Sequence, residues 1–460
     1  MLVLLSSFII LYGCFRLFSY RPPPNFPLGP PQLPFVGNLH QSSLQKLYLK
    51  IADLGRKYLS HGLMGLRIIG PNIHVVPPGD YHLVDFLHES ELEKRTPINE
   101  AESTQLMYEL LVAPERFQEH VTRYYGAVFL ASVFGTRAKE FGDNTVIKRF
   151  FDIQDDWSDV MAPGFVPPYD IFPFLEYVPE FLTPWRGWRE KVQAVGQNQH
   201  AMYRELVAGV REKMAQGIGR ECFMQDLLNG QEKDVYSDTD IEYFGGMLLE
   251  GGSDTTRNVF ETFLLAMVAH PSILKKAQEE VDGIFGSDKI PAGTHNAKLP
   301  YLTACLLERR TLRWRPGFPS GIPHATTQDD IYEGFSIPAN TTVILDIWGI
   351  HHDPDQFENP EVYDPTPFLR RPSGSKSSLD EISIKMAQRS LLLTAAKVVW
   401  CFEVEAVSLH EIDTSIDEFH GDMLMGPKRS QARFRVRGER RRRLIESEWK
   451  KADTYLKAFE

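Results

Sequence analysis

The stretch MLLEGGSDTTRNVF, residues 247–260, combines a glycine pair with an acid and two hydroxyl side chains. Gly251 and Gly252 lie in an apolar pattern with helical spacing, although each glycine inside a helix costs about 1 kcal/mol relative to alanine. A glycine pair leaves room for a flat group to approach the backbone. Asp254 and Thr255 follow, and such side chains can bend a helix locally and pass protons to a bound ligand. The alternative is a simple helix break at the two glycines, followed by an SDTT cap.

Other side chains with reactive or metal-binding chemistry are scattered along the chain. Cys14, Cys222, Cys305 and Cys401 form no CxxC pair and lack metal-site spacing, which argues against a zinc site and a disulfide framework. A reducing, cytosol-facing setting is favoured. No Ser-His-Asp set, carboxylate dyad or phosphate loop is visible. The formal net charge of −11 makes nucleic acid a poor candidate partner.

The elements that must position these residues are predicted to be mainly α with a small β part. Apolar residues recur at helical spacing in residues 102–117, 203–216, 272–285 and 389–402. Strand-like runs punctuated by Gly and Pro occupy residues 64–76 and 329–348. With 460 residues, 43% of them hydrophobic, the chain can bury a large core, and we expect one domain over residues 41–460.

The first forty residues have a different character. Residues 1–20 are almost continuously apolar, with one charge at Arg16, and are about long enough to cross a hydrocarbon core. We expect a retained transmembrane anchor rather than a cleaved signal peptide, because no basic leader precedes the apolar run. Residues 21–40 are rich in proline and predict a stiff, extended strap that holds the domain at the membrane.

Two downstream stretches, LPYLTACLLERRTLRWRP (residues 299–316) and GFSIPANTTVILDIWGIHHDPDQFENPEVYDP (residues 334–365), resemble the haem-thiolate monooxygenases, the cytochromes P-450. The resemblance covers nearly the whole chain and is strongest with the fungal secondary-metabolism branch. It implies the cytochrome P-450 fold behind a single-pass anchor in the endoplasmic reticulum membrane, with a cytosolic catalytic domain. It also implies haem b as cofactor, an NADPH-dependent cytochrome reductase as partner, contact with membrane lipid, and an apolar small molecule as substrate.

The resemblance assigns roles to the glycine-containing stretch. Asp254 and Thr255 fall on the acid and alcohol that deliver protons to iron-bound dioxygen in the family. Gly251, Gly252 and Thr256 belong to the same oxygen-binding motif and are expected to contact the cofactor.

Three histidines also fall on family positions. His324, in GIPHAT, corresponds to a residue that often contacts a haem propionate. His351 and His352 resemble iron ligands in type, but they match a structural turn of the family. We therefore expect neither of them to bind iron.

The proximal loop of the family is missing. That loop has the form F-x-x-G-x-R-x-C-x-G, and its cysteine thiolate is the fifth ligand of the iron. Here SGSKSSLDEISI runs directly into KMAQRSLLLTAAKVVW, so the loop is absent at the join between Ile384 and Lys385. Cys401 lies well past the expected site, near the end of an apolar helix, and we expect it to be a buried structural cysteine. The sequence therefore contains no axial metal ligand.

A second family motif, a glutamate and an arginine one turn apart, is also altered. Glu308 is followed by RRTLR, so Arg309 and Arg310 look inserted before Arg313. Residues five apart differ by about 140° around a helix, and Glu308 and Arg313 would then face different directions. Pro367 replaces the arginine that completes the triad in the family.

A third family segment, which normally contacts haem, is absent after Ile98, where LEKRTPI joins NEAESTQLMYELL. Sequence on both sides of each altered point matches the family, and such sharp edges are typical of misjoined exons. The leading interpretation is a membrane-anchored fungal monooxygenase that lacks pieces of its active site. The alternatives are a haem-free, membrane-anchored binding or scaffolding protein, and a membrane enzyme with non-redox chemistry.

Overall fold

A computed structural model describes residues 24–31, 38–41, 46–58, 63–66, 89–162, 164–167, 173–230, 235–293, 298–306, 311–355, 357, 359–366, 369, 380–407, 412–421, 423–428 and 432–460. The predicted anchor, residues 1–20, lies outside the described residues. The fold is mainly helical with short strands, which confirms the predicted class.

The α-helices run in chain order as α1 (Leu47–Tyr58), α2 (Glu89–Val112), α3 (Phe117–Phe134), α4 (Val146–Met161), α5 (Trp188–Ala215), α6 (Phe223–Asn229), α7 (Asp238–Ala269), α8 (Pro271–Phe285), α9 (Pro300–Leu306), α10 (Thr311–Trp314), α11 (Ile347–His351), α12 (Asp380–Cys401) and α13 (Glu439–Leu456). The strands are β1 (His324–Ala325), β2 (Asp330–Tyr332), β3 (Phe335–Ile337), β4 (Thr342–Val343), β5 (Phe402–Ala406), β6 (Phe419–His420), β7 (Gly426–Pro427) and β8 (Ala432–Val436).

The long helix α7 packs against α3, α5, α8, α10 and α12, so it organises much of the main core. It begins at a capping box in which the backbone N–H of Asp240 donates to the Ser237 hydroxyl and the backbone N–H of Ser237 donates to the Asp240 carboxylate. It ends at Ala269 because Pro271, at the start of α8, disfavours helical backbone at His270. Phe260 and Phe263 of α7 are fully buried in this core.

The helical patterns of the sequence are largely confirmed. The predicted helix over residues 102–117 is divided in the structure, because Pro114 starts a short 3-10 turn between α2 and α3. Helices α5, α8 and α12 contain the other three predicted stretches, except that Phe402 begins strand β5.

Two helices run through the joins predicted from the sequence. Helix α2 includes the join after Ile98 and accommodates Pro97 in its interior, where proline cannot donate a backbone hydrogen bond. Helix α12 includes the join between Ile384 and Lys385. The segments on either side of each join therefore continue as one helix.

Helices α2 and α12 are connected by a buried lysine. The Lys397 ammonium of α12 donates to the backbone oxygen of Glu100 at 2.9 Å, to the Ser103 hydroxyl at 2.8 Å and to the Thr104 hydroxyl at 2.9 Å. All three acceptors are neutral, and burial lowers the pKa of Lys397 to about 8. The buried charge is thus solvated by α2 itself.

The β part consists of two-stranded antiparallel pairs, β1 with β4, β2 with β3, β5 with β8, and β6 with β7. The β2–β3 hairpin turns at Glu333 and Gly334, which both have positive φ, as a type I′ turn requires. Strands β2, β3 and β4 confirm the strand-like reading of residues 329–348. Of the other predicted strand region, residues 67–76 lie outside the described residues.

The proline-rich strap is tied to the domain where it is described. The backbone N–H of Gly65 donates to the oxygen of Leu28 at 2.9 Å, and that of Ser336 in β3 donates to the oxygen of Asn25 at 3.0 Å. A Cβ on Gly29 would overlap the backbone of Gly65, so this crossing needs glycine. Within the described part of the chain, we find no helix long and apolar enough to span a membrane.

Candidate functional site

The predicted oxygen-binding motif lies in the middle of α7, and the helix continues through it without a break. The Thr255 hydroxyl donates to the backbone oxygen of Gly251 at 2.8 Å, and the Thr256 hydroxyl donates to that of Gly252 at 2.6 Å. These hydroxyls share the carbonyl oxygens one turn back with the helix's own amide bonds, and the helix continues through them. The simple helix break considered from the sequence is therefore not what forms.

The two glycines of the motif face different surroundings. A Cβ on Gly252 would overlap the ring of Phe129 in α3, so the flat group that approaches this backbone is part of the protein itself. A Cβ on Gly251 would meet no atom within 4 Å. Thr256 is buried on the core side, with 2% of its surface exposed. Gly251, together with Thr255 one turn later, therefore forms the open face of α7.

Asp254 lies on a flank of α7 and pairs with a cation. It is 5% exposed, and its Oδ1 is 2.6 Å from Nη2 of Arg257, one turn further along. The contact is an ion pair without hydrogen-bond geometry. The Arg257 guanidinium also lies over the Phe151 ring of α4, 4.9 Å from its centre. The acid that the sequence predicts for proton delivery is thus held by a charge partner.

Other carboxyl groups share this cation. Burial raises the pKa of Glu261 in α7 to about 7, and the Arg257 charge opposes that rise. Burial likewise raises the pKa of Asp155 in α4, again against the attraction of Arg257 and with repulsion from Asp254. A polar cluster therefore lies on the flank of α7 where α4 approaches. Sequence reasoning missed Arg257, although its spacing of three from Asp254 is a helical ion-pair signal.

Arg313 lies in α10 and is 1% exposed. Its guanidinium donates to the backbone oxygens of His351 at 3.1 Å, Pro360 at 2.6 Å and Val362 at 3.4 Å. Arg313 thus fixes the loop that follows α11.

The remaining members of the predicted triad, Glu308 and Pro367, lie outside the described residues, as do Arg309 and Arg310. The altered pairing of Glu308 with Arg313 therefore stays a prediction.

The three histidines named from the sequence lie outside α7. His324 is an exposed residue of β1, opposite Val343 of β4. His352 stacks on Trp348 with ring centres 3.8 Å apart, and its Nδ1 hydrogen-bonds with the Trp348 backbone oxygen at 3.0 Å. Burial lowers the pKa of His352 to about 3, so the ring is neutral at pH 7. These contacts agree with the structural turn expected at His351 and His352.

The described cysteines do not fit a haem held by a thiolate. Cys222, Cys305 and Cys401 belong to the main hydrophobic core and have at most 1% of their surface exposed. Burial raises the pKa of Cys401 to about 12, which keeps the sulfur protonated. Cys14 lies outside the described residues, in the predicted anchor. The buried cysteine expected at position 401 is found, and no described residue supplies the anionic sulfur ligand.

Comparison with known proteins identifies the family. A sequence model described as cytochrome P-450 matches residues 102–380, more than half of the chain. The match begins shortly after the join at Ile98 and ends shortly before the join between Ile384 and Lys385. It therefore covers the stretch that lies between the first and the last altered point.

Individual relatives extend over more of the chain. The cytochrome P-450 monooxygenase atE of Aspergillus terreus is 32% identical over 395 residues, which cover 82% of this chain and 73% of the relative. The monooxygenase fogE of Aspergillus ruber is 29% identical over 515 residues, which cover 98% of this chain and 94% of the relative. A cytochrome P-450 monooxygenase of Arthrobotrys oligospora is 31% identical over 500 residues, which cover 93% of this chain and 92% of the relative.

The last two alignments are longer than the 460 residues of this chain, so these relatives carry segments that have no counterpart in it. The glycine motif, the family match and the coverage by relatives all support one family assignment. The chain belongs to the cytochrome P-450 family of haem-thiolate monooxygenases.

Proposed function

We propose that this chain is a form of a fungal secondary-metabolism monooxygenase that oxidises an apolar small molecule with dioxygen. The family activity uses haem b and electrons from an NADPH-dependent reductase. The proposal is supported by the fungal monooxygenases to which the chain is similar, and by the retained motif from Gly251 to Thr256 in α7. We also propose that residues 1–20 anchor the chain in the endoplasmic reticulum membrane, with the domain in the cytosol.

In this form, the chain is proposed not to carry out the family reaction. The loss of activity is inferred from the cysteines. Cys222, Cys305 and Cys401 are buried core residues, and the sequence contains no cysteine between Cys305 and Cys401, where the family has its proximal loop. Without a thiolate, apolar burial could hold a haem only weakly. The reduced, carbon-monoxide-treated protein should therefore lack the red-shifted Soret band of a thiolate-ligated haem. A thiolate-type band from the unmodified chain would overturn this proposal.

A second candidate is a haem-free, membrane-anchored binding or scaffolding protein. It is favoured by helices α2 and α12, which run through the joins and are linked by the buried Lys397 contacts. The genomic sequence around codons 98, 308 and 384 separates the two candidates. In-frame coding sequence for the missing motifs would support the monooxygenase, whereas uninterrupted coding DNA across all three points would support the binding protein.

A further inference from the structure

Glu250, the residue directly before Gly251, accepts hydrogen bonds from two neighbouring helices. Gln154 of α4 donates to Glu250 Oε1 at 2.7 Å, and Gln199 of α5 donates to the same oxygen at 2.8 Å. The hydroxyl of Tyr203, also in α5, donates to this oxygen as well. One carboxylate oxygen therefore joins α4 and α5 to α7.

Tyr203 reaches Glu250 across one turn of α7. A Cβ on Gly246 would overlap the Tyr203 ring, so the ring lies directly on the helix backbone at that point. The side chain is 2% exposed, and its hydroxyl is directed to Glu250, four residues after Gly246. Gly246 thus contacts the Tyr203 ring, and Glu250 accepts the hydrogen bond from the Tyr203 hydroxyl.

The charge of Glu250 is stabilised by neutral donors. Burial raises the pKa of Glu250, whereas the bonds from Tyr203, Gln154 and Gln199 lower it. Among the described residues, no Lys, Arg or His forms an ion pair with this carboxylate. Hydrogen bonds to a buried charged group are stronger than bonds between neutral groups. Donors from both α4 and α5 therefore share this single acceptor of α7.

Glu242, about two turns earlier in α7, provides a natural comparison. Its carboxylate contacts His200 at 2.7 Å and Arg204 at 3.7 Å. Both of these partners belong to α5, so Glu242 joins only two helices.

We propose that Glu250 is a positioning residue that holds both α4 and α5 on α7, next to the open face at Gly251 and Thr255. Its consequence for ligands rests on the proposed binding of an apolar small molecule at that face, beside which Glu250 holds α4 and α5. Loss of the acceptor should therefore loosen α4 and α5 together and speed the exchange of an apolar ligand.

Amide hydrogen exchange of the full-length protein tests the positioning role directly. Glu250→Ala should speed exchange in α4 and α5 by about tenfold or more, because each helix loses a bond to a charged acceptor. Glu250→Gln should speed exchange less than Glu250→Ala, because a glutamine Oε1 can still accept the three bonds, although without the charge that strengthens them. Glu242→Ala should affect α5 and leave α4 unchanged. Unchanged exchange of α4 in Glu250→Ala, or equal effects of Ala and Gln, would overturn the proposal.

Two further measurements complete the test. The first serves if Glu250→Ala folds poorly, and the second separates the role of Glu250 from the proposed binding of an apolar molecule. Gln154→Ala removes only the α4 bond and should speed exchange in α4 alone; no change there would count against the proposal. Stopped-flow release of the apolar fluorophore 8-anilinonaphthalene-1-sulfonate should be faster in Glu250→Ala than in Glu242→Ala. If the fluorophore binds to none of the proteins, the proposed apolar binding fails, while the exchange pattern still decides the role of Glu250.

Discussion

The Arg313 guanidinium donates a hydrogen bond to the backbone oxygen of Pro360 at 2.6 Å, across 47 residues of sequence. It donates to His351 and Val362 as well, so one buried side chain serves the last carbonyl of α11 and two carbonyls of the loop that follows. This relationship makes Arg313 a structural residue whatever the state of its family partner Glu308.

Arg313→Ala should lower the free energy of unfolding by about 3 kcal/mol, because three carbonyl oxygens lose a buried, charged donor. Urea unfolding followed by tryptophan fluorescence measures this change. Arg443→Ala is the matched control, since the Arg443 side chain is 76% exposed and its ion pair with Glu439 is expected to contribute little. Equal midpoints for the two variants would contradict the structural role of Arg313.

Deletion of Arg309 and Arg310 should restore the one-turn spacing between Glu308 and Arg313, because two residues rotate a helix by about 200°. The unfolding midpoint should rise only partly, since Pro367 still stands where the family has the third arginine. Thermal unfolding of the deletion variant and the parent provides the measurement. A variant that unfolds more easily than the parent would show that the fold tolerates both arginines and that the predicted register is wrong.

The buried Lys397 should make stability depend on pH in the alkaline range. Its pKa is about 8 in the folded chain against 10.5 for an ordinary lysine, so between these values the unfolded chain binds more protons. The stability of the parent relative to Lys397→Met should therefore rise from pH 8 to pH 10.5, by at most about 3 kcal/mol. Urea unfolding at several pH values measures the difference between the two proteins.

Comparison with a variant is needed because the cysteines act in the opposite direction. Burial raises the pKa of Cys222 and Cys401, so unfolding releases their protons more readily at high pH and stability falls. The contribution of Cys222 cancels in the difference between parent and Lys397→Met. That of Cys401 cancels only in part, because the Lys397 charge lowers the pKa of Cys401. If the stability difference between the two proteins does not change between pH 8 and pH 10.5, the pKa of Lys397 is not lowered in the folded protein.

Insertion of a family-type F-x-x-G-x-R-x-C-x-G loop between Ile384 and Lys385 should restore a thiolate-type Soret band at most partly. The insertion supplies the missing sulfur, but it interrupts α12, which now runs through this point. The altered segments near Ile98 and Glu308 also remain. The reduced carbon-monoxide spectrum is the measurement, and Cys401→Ser in the same background should leave it unchanged. Loss of the band in that variant would show that Cys401 is the ligand.

Removal of residues 1–24 should release the protein from membranes, because these residues contain the whole apolar run. Fractionation of cell lysates by ultracentrifugation compares the truncated and the full-length chain. The prediction is wrong if the full-length chain is already found in the supernatant.

The sequence alone was sufficient for features that depend on local pattern. The apolar spacing of residues 389–402 predicted the buried helix that became most of α12, and short β-branched runs punctuated by Gly and Pro predicted strands in residues 329–348. Helical spacing around Gly251 was also visible in the sequence, but a helix break at the two glycines stayed open as an alternative until the structure showed one continuous helix. The absence of a proximal cysteine could be read directly from residue types.

Only the tertiary structure decided which groups lie against these elements. Phe129 occupies the space at Gly252 although 123 residues separate the two in sequence, and no local pattern identifies such a partner. Gln154, Gln199 and Tyr203 meet at Glu250 from two other helices, and the backbone oxygens that hold Arg313 belong to a distant loop. Periodicity determines which face of a helix is buried, whereas packing of the whole chain determines what it is buried against.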